Sequence, residues 1–484
     1  TFRQIAKPVG NDKHRLEVVY TINEGPRVET ATIVTVGRKS TRQGLIDRTT
    51  QLRAGGPMRE DELLASESRL YNLGIFDWAQ VDPRRQITTQ NQEDVLVKLH
   101  EAKKNSLTYG FGFEVINRGG NIPSGTVALP NLPVVGLPAN FKTSQQTFWG
   151  PRGTFEYTRK NVRGKAETFT IGGLAARLDQ RANITFTDPY FRGSNWASTL
   201  NVSGEHNSEN PIFTSRLVNA SFQIQRPLNE DKTRTLFFRY TIKQTGITHL
   251  LIPDLVPPED QHVRLSTLST SYIRDTRDNV LDAHKGILES FQLDFNPHVL
   301  GSSVDFAKLL AQAAYYKKIV GDTIFANSVR LGLELPFAGS HVPLSELFFS
   351  GGGSTLRGFP LNGAGPQRTV PACGNPADPS TCAKITVPVG GRQLFIVNSE
   401  FRVPIKADLP WVHQNLGVAA FYDGGNVYQS IGFHTFFSDF SNTIGLGLRY
   451  RTPVGPVRID VGRNLNPVPG ISSTQFFVTL GQAF

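Results

Sequence analysis

No stretch of this 484-residue chain is apolar for long enough to cross a bilayer as a helix, and hydrophobic residues make up only 39% of it. That excludes a helical membrane protein. It leaves room for a barrel, whose strands alternate apolar with polar residues. Catalytic signatures are missing too: there is no G-x-S-x-G elbow, no H-E-x-x-H pair and no Walker A loop. Gly351-Gly352-Gly353-Ser354 lacks the lysine that a phosphate loop needs. The ten histidines are dispersed, none at metal-ligand spacing with a cysteine, so no enzyme, metal centre or cofactor is expected. Methionine occurs once, against 32 phenylalanines and 45 glycines, an all-β rather than a helical bias. The net charge of +10 could serve nucleic acid, but the basic residues are scattered, with no basic helix or aromatic RNA-binding motif beside them. No nucleic-acid partner is expected, since solvated loops, a polar lumen and anionic lipid head groups account for the charge. No signal peptide is recognisable, and Thr1 opens inside a segment that reads as structured, so the natural chain is expected to extend further N-terminally.

What is present divides in two, as the length suggests. Leu16, Val18, Tyr20 and Ile22 fall on one face of a half-buried strand that Glu24-Gly25-Pro26 breaks. A strand over 30–36 follows, then helices near 41–52 and 59–73 separated by Gly55-Gly56-Pro57. In the second helix Leu63 shares a face with Leu70, and Leu64 with Tyr71. Strands near 78–81 and 94–100 complete a β-α-α-β-β order, a small α+β module.

After about residue 105 helical periodicity gives way to short alternating segments, each about the 9–11 residues that a tilted membrane strand needs. Phe291, Leu293 and Phe295 alternate with Gln292 and Asp294; Ile444, Leu446, Leu448 and Tyr450 with Thr443, Gly445, Gly447 and Arg449; Val457, Ile459 and Val461 with Arg458 and Asp460. About sixteen such segments can be counted, an even number. A soluble β-sandwich alternates as well, and alternation alone leaves both architectures open. Against the sandwich, one face stays apolar across many successive strands and ends in aromatics.

The longest stretch without a strand pattern runs from about 337 to 391, and long loops of that kind are functional or disordered. It holds Gly351–Phe359, GGGSTLRGF. The next segment puts Asn398, Glu400 and Arg402 on one face, and the one after ends in Asp423. If the loop folds back into a lumen, the Arg357 fork can meet Glu400 and Asp423.

Leu356-Arg357-Gly358-Phe359 resembles the loop-six signature of the outer-membrane-protein-85 superfamily, which includes BamA- and TamA-type assembly factors and two-partner secretion transporters. There the motif usually reads V/I-R-G-F/Y, so Leu356 is a mild departure, and the arginine binds acidic residues inside the barrel. Glu400 in VNSEFRVP and Asp423 in AFYDGGNVY match those acids. FTDPYF at 186–191, RDTRDN at 274–279 with Gly286, the terminal FFVTLGQAF and LYNLGIFDWAQV within 59–81 are also similar to the family, so the resemblance covers nearly the whole chain. It implies residues 1–28 as the remnant of one POTRA domain, 29–103 as a complete POTRA in the periplasm, and 104–484 as a 16-stranded antiparallel barrel in a bacterial outer membrane. The implied function is folding and inserting other β-barrel proteins. The implied partners are unfolded clients, outer-membrane lipid and accessory assembly subunits recruited through the POTRA. A secretion pore for one exported partner is the alternative, and a passive porin would need neither the POTRA nor LRGF.

An unpaired sheet edge in lipid costs several kcal/mol per backbone group, so the first and last strands are expected to close the barrel. Both look like poor partners. The first, near 106–114, carries Tyr109, Gly110 and Gly112; the last, near 475–484, carries Gly481 and ends at Phe484. Glycine weakens strand interiors, and this seam is expected to act as a lateral gate. Cys373 and Cys382, both in the loop-six insertion on an oxidising route, are expected to form a disulfide. Closing so short a loop contributes roughly 2–3 kcal/mol in the chain-entropy view. Thiol labelling without reductant should find neither cysteine free, and two labelled cysteines would refute the pairing.

Overall fold

A computed structural model of the chain describes residues 2–9, 12–22, 27–85, 90–121, 142–208, 214–250, 256–360, 363–373, 382–405, 415–430, 432–452, 456–466, 472–480 and 482–483. The chain divides into two compact units, Thr1–Ser106 with Thr158–Phe169, and Leu107–Tyr157 with Thr170–Phe484.

In the first unit β1 (Phe2–Val9) and β2 (Asp12–Ile22) form an antiparallel pair. The β-α-α-β-β order follows: β3 (Glu29–Val36), α1 (Gln43–Thr50), α2 (Glu60–Tyr71), β4 (Phe76–Pro83) and β5 (Gln92–Glu101). The sheet order is β3-β5-β4, with β5 parallel to β3 and antiparallel to β4. Of the two apolar stripes on α2, Leu63 and Leu70 go inward and Leu64 and Tyr71 stay exposed. Val95, Val97 and Leu99, alternate residues of β5, are buried as well. At the end of β5 the Glu101 carboxylate accepts the backbone N–H groups of Lys39 (3.0 Å), Ser40 (2.8 Å) and Thr41 (2.8 Å) and the Ser40 hydroxyl. Partial burial pushes its pKa up, but the donors outweigh it and hold the group down at about 2. Glu101 thus pins the turn that launches α1.

The second architecture is a 16-stranded antiparallel sheet of the barrel class. Its strands are β6 (Asn105–Asn121), β7 (Lys142–Val162), β8 (Glu167–Ala175), β9 (Asp179–Asp188), β10 (Ala197–Asn207), β11 (Thr214–Pro227), β12 (Arg234–Thr248), β13 (His262–Asp275), β14 (Gly286–Asn296), β15 (Phe306–Lys318) and β16 (Ile324–Pro336). A hairpin of β17 (Gln367–Cys373) and β18 (Cys382–Pro388) lies apart from them. Then come β19 (Gln393–Pro404), β20 (Leu416–Tyr428), β21 (Ser441–Tyr450), β22 (Val457–Asn464) and β23 (Thr474–Leu480). Each strand pairs with its neighbour in sequence, β16 passing to β19, and β6 and β23 are the terminal members of the order.

Burial runs opposite to that of a soluble domain. Ile184, Phe238, Phe291, Leu293 and Leu448 are exposed, while Glu400, Arg402, Asp423, Arg449, Arg458 and Asp460 are buried. In water that inversion would forfeit the hydrophobic stabilisation of every strand. It suits a sheet with lipid outside and a polar, filled lumen.

Two boundaries differ from the sequence reading. The 337–391 stretch is not structureless. It contains the β17–β18 hairpin and the bridges Phe348↔Gly391 and Ser350↔Ala364. The Arg368-Thr369-Val370 and Ile385-Thr386-Val387 runs carry β-branched residues that the surrounding proline and glycine obscured. Backbone pairing sets Cys373 opposite Cys382, and the side chains of the expected disulfide lie outside the described residues. The last strand stops at Leu480 rather than Phe484. Beyond it the Gln482 amide donates to Asp282 Oδ1 at 2.8 Å, in the turn between β13 and β14.

Because the folded pKa of Glu101 lies below its unfolded value of about 4.3, its contribution is present above that pH and is lost as pH falls toward about 2. Glu101→Gln should lower the stability of the α+β unit by roughly 1–2 kcal/mol at neutral pH and flatten its acid sensitivity. Thermal melts followed by the helical circular-dichroism signal, at neutral and acid pH, check both.

Candidate functional site

The inner face of β19 is graded. Leu394 and Ile396 come first, then Asn398, Glu400 and Arg402, all buried. Loop six, the 337–391 connection, matches that grading residue by residue. Its Leu356 and Phe359 join Phe348, Leu394, Ile396 and Val427 in one apolar cluster. Arg357 between them reaches the polar half. Leu356 is fully buried there, a role that needs an aliphatic side chain of suitable volume rather than a particular one.

The Arg357 guanidinium makes a two-point fork with Asp423 of β20: Nε to Oδ2 at 2.9 Å and Nη2 to Oδ1 at 2.8 Å. Its backbone N–H also donates to Asp423 Oδ2 at 3.1 Å, so the carboxylate holds both main chain and side chain. Nη1 donates to Glu400 Oε2 at 2.8 Å and lies 3.7 Å from Asp460 Oδ2. The plane of the fork sits 3.4 Å above the centre of the Phe421 ring, a cation–π contact away from water. Asn398 braces the pair by donating to Asp423 Oδ1 at 2.8 Å and to the Thr355 carbonyl at 2.6 Å.

The three expected members, Arg357, Glu400 and Asp423, are therefore brought together. The sequence reading missed the other half of the network. Glu400 Oε1 also receives Arg402 (3.2 Å) and Arg449 (2.8 Å). Arg449 continues to Asp460 Oδ1 (2.6 Å), and Arg458 meets Asp460 Oδ2 (3.0 Å) and the Gly353 carbonyl (2.5 Å). Arg449, Arg458 and Asp460 had been placed on the polar faces of their strands, but nothing in one strand shows that Arg449 and Arg458 are cross-strand partners. A charged pair on the lumen face of adjacent strands beside a motif arginine was the available signal.

Two glycines make the docking sterically possible. A Cβ at Gly462 of β22 would fall 2.1 Å from the Arg357 carbonyl oxygen, and one at Gly358 would fall 2.7 Å from the backbone nitrogen of Asn464. Loop and strand meet backbone to backbone here. This explains Gly358 in the motif and adds Gly462, which no motif had flagged.

The expected gate residues are placed in part. Tyr109, Gly110 and Gly112 lie on β6, and the Thr154 hydroxyl approaches the Gly110 carbonyl at 3.4 Å. Gly481 and Phe484 lie outside the described residues. The outward apolar residues of the terminal strands, Leu107 to Phe113 on β6 and Phe476 and Val478 on β23, are 60–86% exposed, while Ile184, Phe222, Phe291 and Leu331 on β9, β11, β14 and β16 are 38–48% exposed. The Asp275–Arg277 fork (2.9 and 2.8 Å) is local to its own turn, the ordinary polar strand end.

The Omp85 superfamily domain matches residues 161–484. The chain is 23% identical over 480 residues to the outer membrane protein assembly factor BamA of Nitratidesulfovibrio vulgaris, covering 98% of this chain and 53% of that protein. It is 23% identical over 292 residues to the sorting and assembly machinery component 50 homolog of Bos taurus, covering 57% of this chain and 60% of that one. The chain thus spans little more than half the length of these relatives. In fold it is similar to the crystal structure of BamA from Haemophilus ducreyi lacking POTRA domains 1-3, with a TM-score of 0.67 at 16% identity over 98% of this chain and 89% of the other.

Removing one partner from a buried ion pair costs roughly 3–5 kcal/mol. Arg357→Ala should therefore release loop six while the sheet stays folded, because Asp423 loses its cation and keeps Asn398 as its side-chain donor among the described residues, whereas Glu400 and Asp460 keep other arginines. Gly462→Val should release it with the clamp residues intact. Protease cleavage within loop six of a barrel that retains its heat-modifiable mobility is the measurement. A loop equally protected in both variants would show that the clamp does not hold it.

Proposed function

The chain belongs to the Omp85 superfamily, and from that premise we propose that it folds β-barrel proteins and inserts them into a bacterial outer membrane, its POTRA module lying in the periplasm. Unfolded barrel proteins are the clients in this reading, outer-membrane lipid is the solvent of the outer face, and accessory subunits join through the α+β unit. The work is done by offering backbone edges and involves no catalysis.

The observation that supports this reading is the filled lumen. Loop six brings Leu356 and Phe359 into an apolar cluster with Leu394 and Ile396, and beneath it the arginines and carboxylates bond one another. A polypeptide threading the lumen would have to break that network. A route along the wall leaves that network intact, and the terminal strands β6 and β23 carry widely exposed apolar residues, with glycines inside β6. An incoming strand that pairs there satisfies its backbone groups as it enters lipid, which avoids several kcal/mol per unmade hydrogen bond. Pairing of an extended client with the edge strand β4 of the α+β sheet is the same chemistry in water.

The test is a seam lock. One cysteine is placed in β6 and one in β23, in a protein whose Cys373 and Cys382 are serine, and the pair is oxidised. Insertion of a barrel client into lipid vesicles should fall to near background and recover on reduction. Insertion at the unlocked rate would overturn the gate.

A further inference from the structure

Loop six is gripped a second time, on its leading leg, by residues the clamp does not use. The Glu346 carboxylate pairs with the Lys243 ammonium of β12. Lys308 of β15 donates to the Glu346 carbonyl at 2.5 Å, lies 4.5 Å from the centre of the Phe348 ring, and pairs at 2.8 Å with Glu334, its register partner on β16. Just upstream, Asp260 accepts the Leu344 N–H at 2.9 Å and lies 2.9 Å from His341 Nε2. Val342 and Leu347 pack with Val263, Leu265, Val304 and Phe306 beneath this leg.

The two grips lie on different walls. The leg is tied to β12 and β15, and the tip to β19, β20 and β22. Residues 347–356 run between them, Phe348 packs against Leu356 and Phe359 of the tip, and the bridges at Phe348 and Ser350 take up the slack. A leg displaced by a few ångströms therefore carries the tip with it. We propose that Lys243, Lys308 and Glu346 are positioning residues for the Arg357 site, which makes loop six a strut between two walls of the sheet. This rests on reading loop six as the functional element of an assembly factor.

The test reads loop position directly. In protein with Cys373 and Cys382 replaced by serine and held in lipid vesicles, single reporters Val342→Cys on the leg and Leu356→Cys at the tip are labelled with a water-soluble maleimide. Both parent sites are buried and should label slowly. Glu346→Gln and Lys243→Gln should each speed leg labelling by about tenfold, the fold-change that one lost charge-assisted hydrogen bond brings, and should speed tip labelling as well. The double variant should do no more than the stronger single, because the residues act as one pair. Lys243→Arg should label as the parent does. Heat-modifiable mobility confirms that each variant is folded. Tip labelling that stays at the parent rate while the leg opens, additive effects in the double variant, or Lys243→Arg behaving as Lys243→Gln would each overturn the strut. Client insertion is measured separately: expected labelling with unchanged insertion would leave the strut standing and refute loop six as the functional element, whereas a parent protein that inserts no client would refute the assembly reading.

Discussion

A guanidinium held away from water is tolerated only when its charge and its donors are answered together. Arg357 meets that condition with one fork, one single bond and one aromatic face. Much of the site follows from that requirement. Asp423 must stand where β20 passes the loop, Glu400 must share the inner face of β19, and Phe421 must turn inward beneath the cation. Four arginines face three carboxylates in this network, and Glu400 and Asp460 each serve more than one cation. The sharing spreads the desolvation cost over a connected set rather than leaving it on one pair.

Where charge and burial part company, the sheet records its solvent. Strands such as β21 and β22 put Leu446 and Val461 outward and Arg449 and Asp460 inward. The two faces have exchanged the roles they would have in a soluble sandwich, and this decides between architectures that alternation alone left open.

Much of this was legible in the sequence. Period-two alternation gave the strands because each residue reports its own face. The LRGF segment with Glu400 and Asp423 gave the heart of the site because fork and carboxylate chemistry is local to those residue types. Arg449, Arg458 and Asp460 were seen as polar-face residues but not as a network, since register across two strands decides which charges meet. Gly462 was invisible for a related reason: its importance lies in the absence of a side chain where another segment's backbone arrives. The β17–β18 hairpin was hidden by composition, because proline, asparagine and glycine around it outweighed two short β-branched runs.

The clamp also says something about the order of events during folding. Arg357 must find a carboxylate 66 positions away, and Arg458 a carbonyl 105 positions away, whereas each strand of β9 to β16 finds its partner in the next hairpin. Contacts between distant parts of a chain close late, because their loop entropy is repaid only once the intervening structure exists. The acidic cup is made by β19, β20 and β22, so it has no shape until those strands are zipped together. Docking of the loop is therefore a completion step: an unfinished sheet keeps a wet, open lumen, and only the finished one can take its own loop inside.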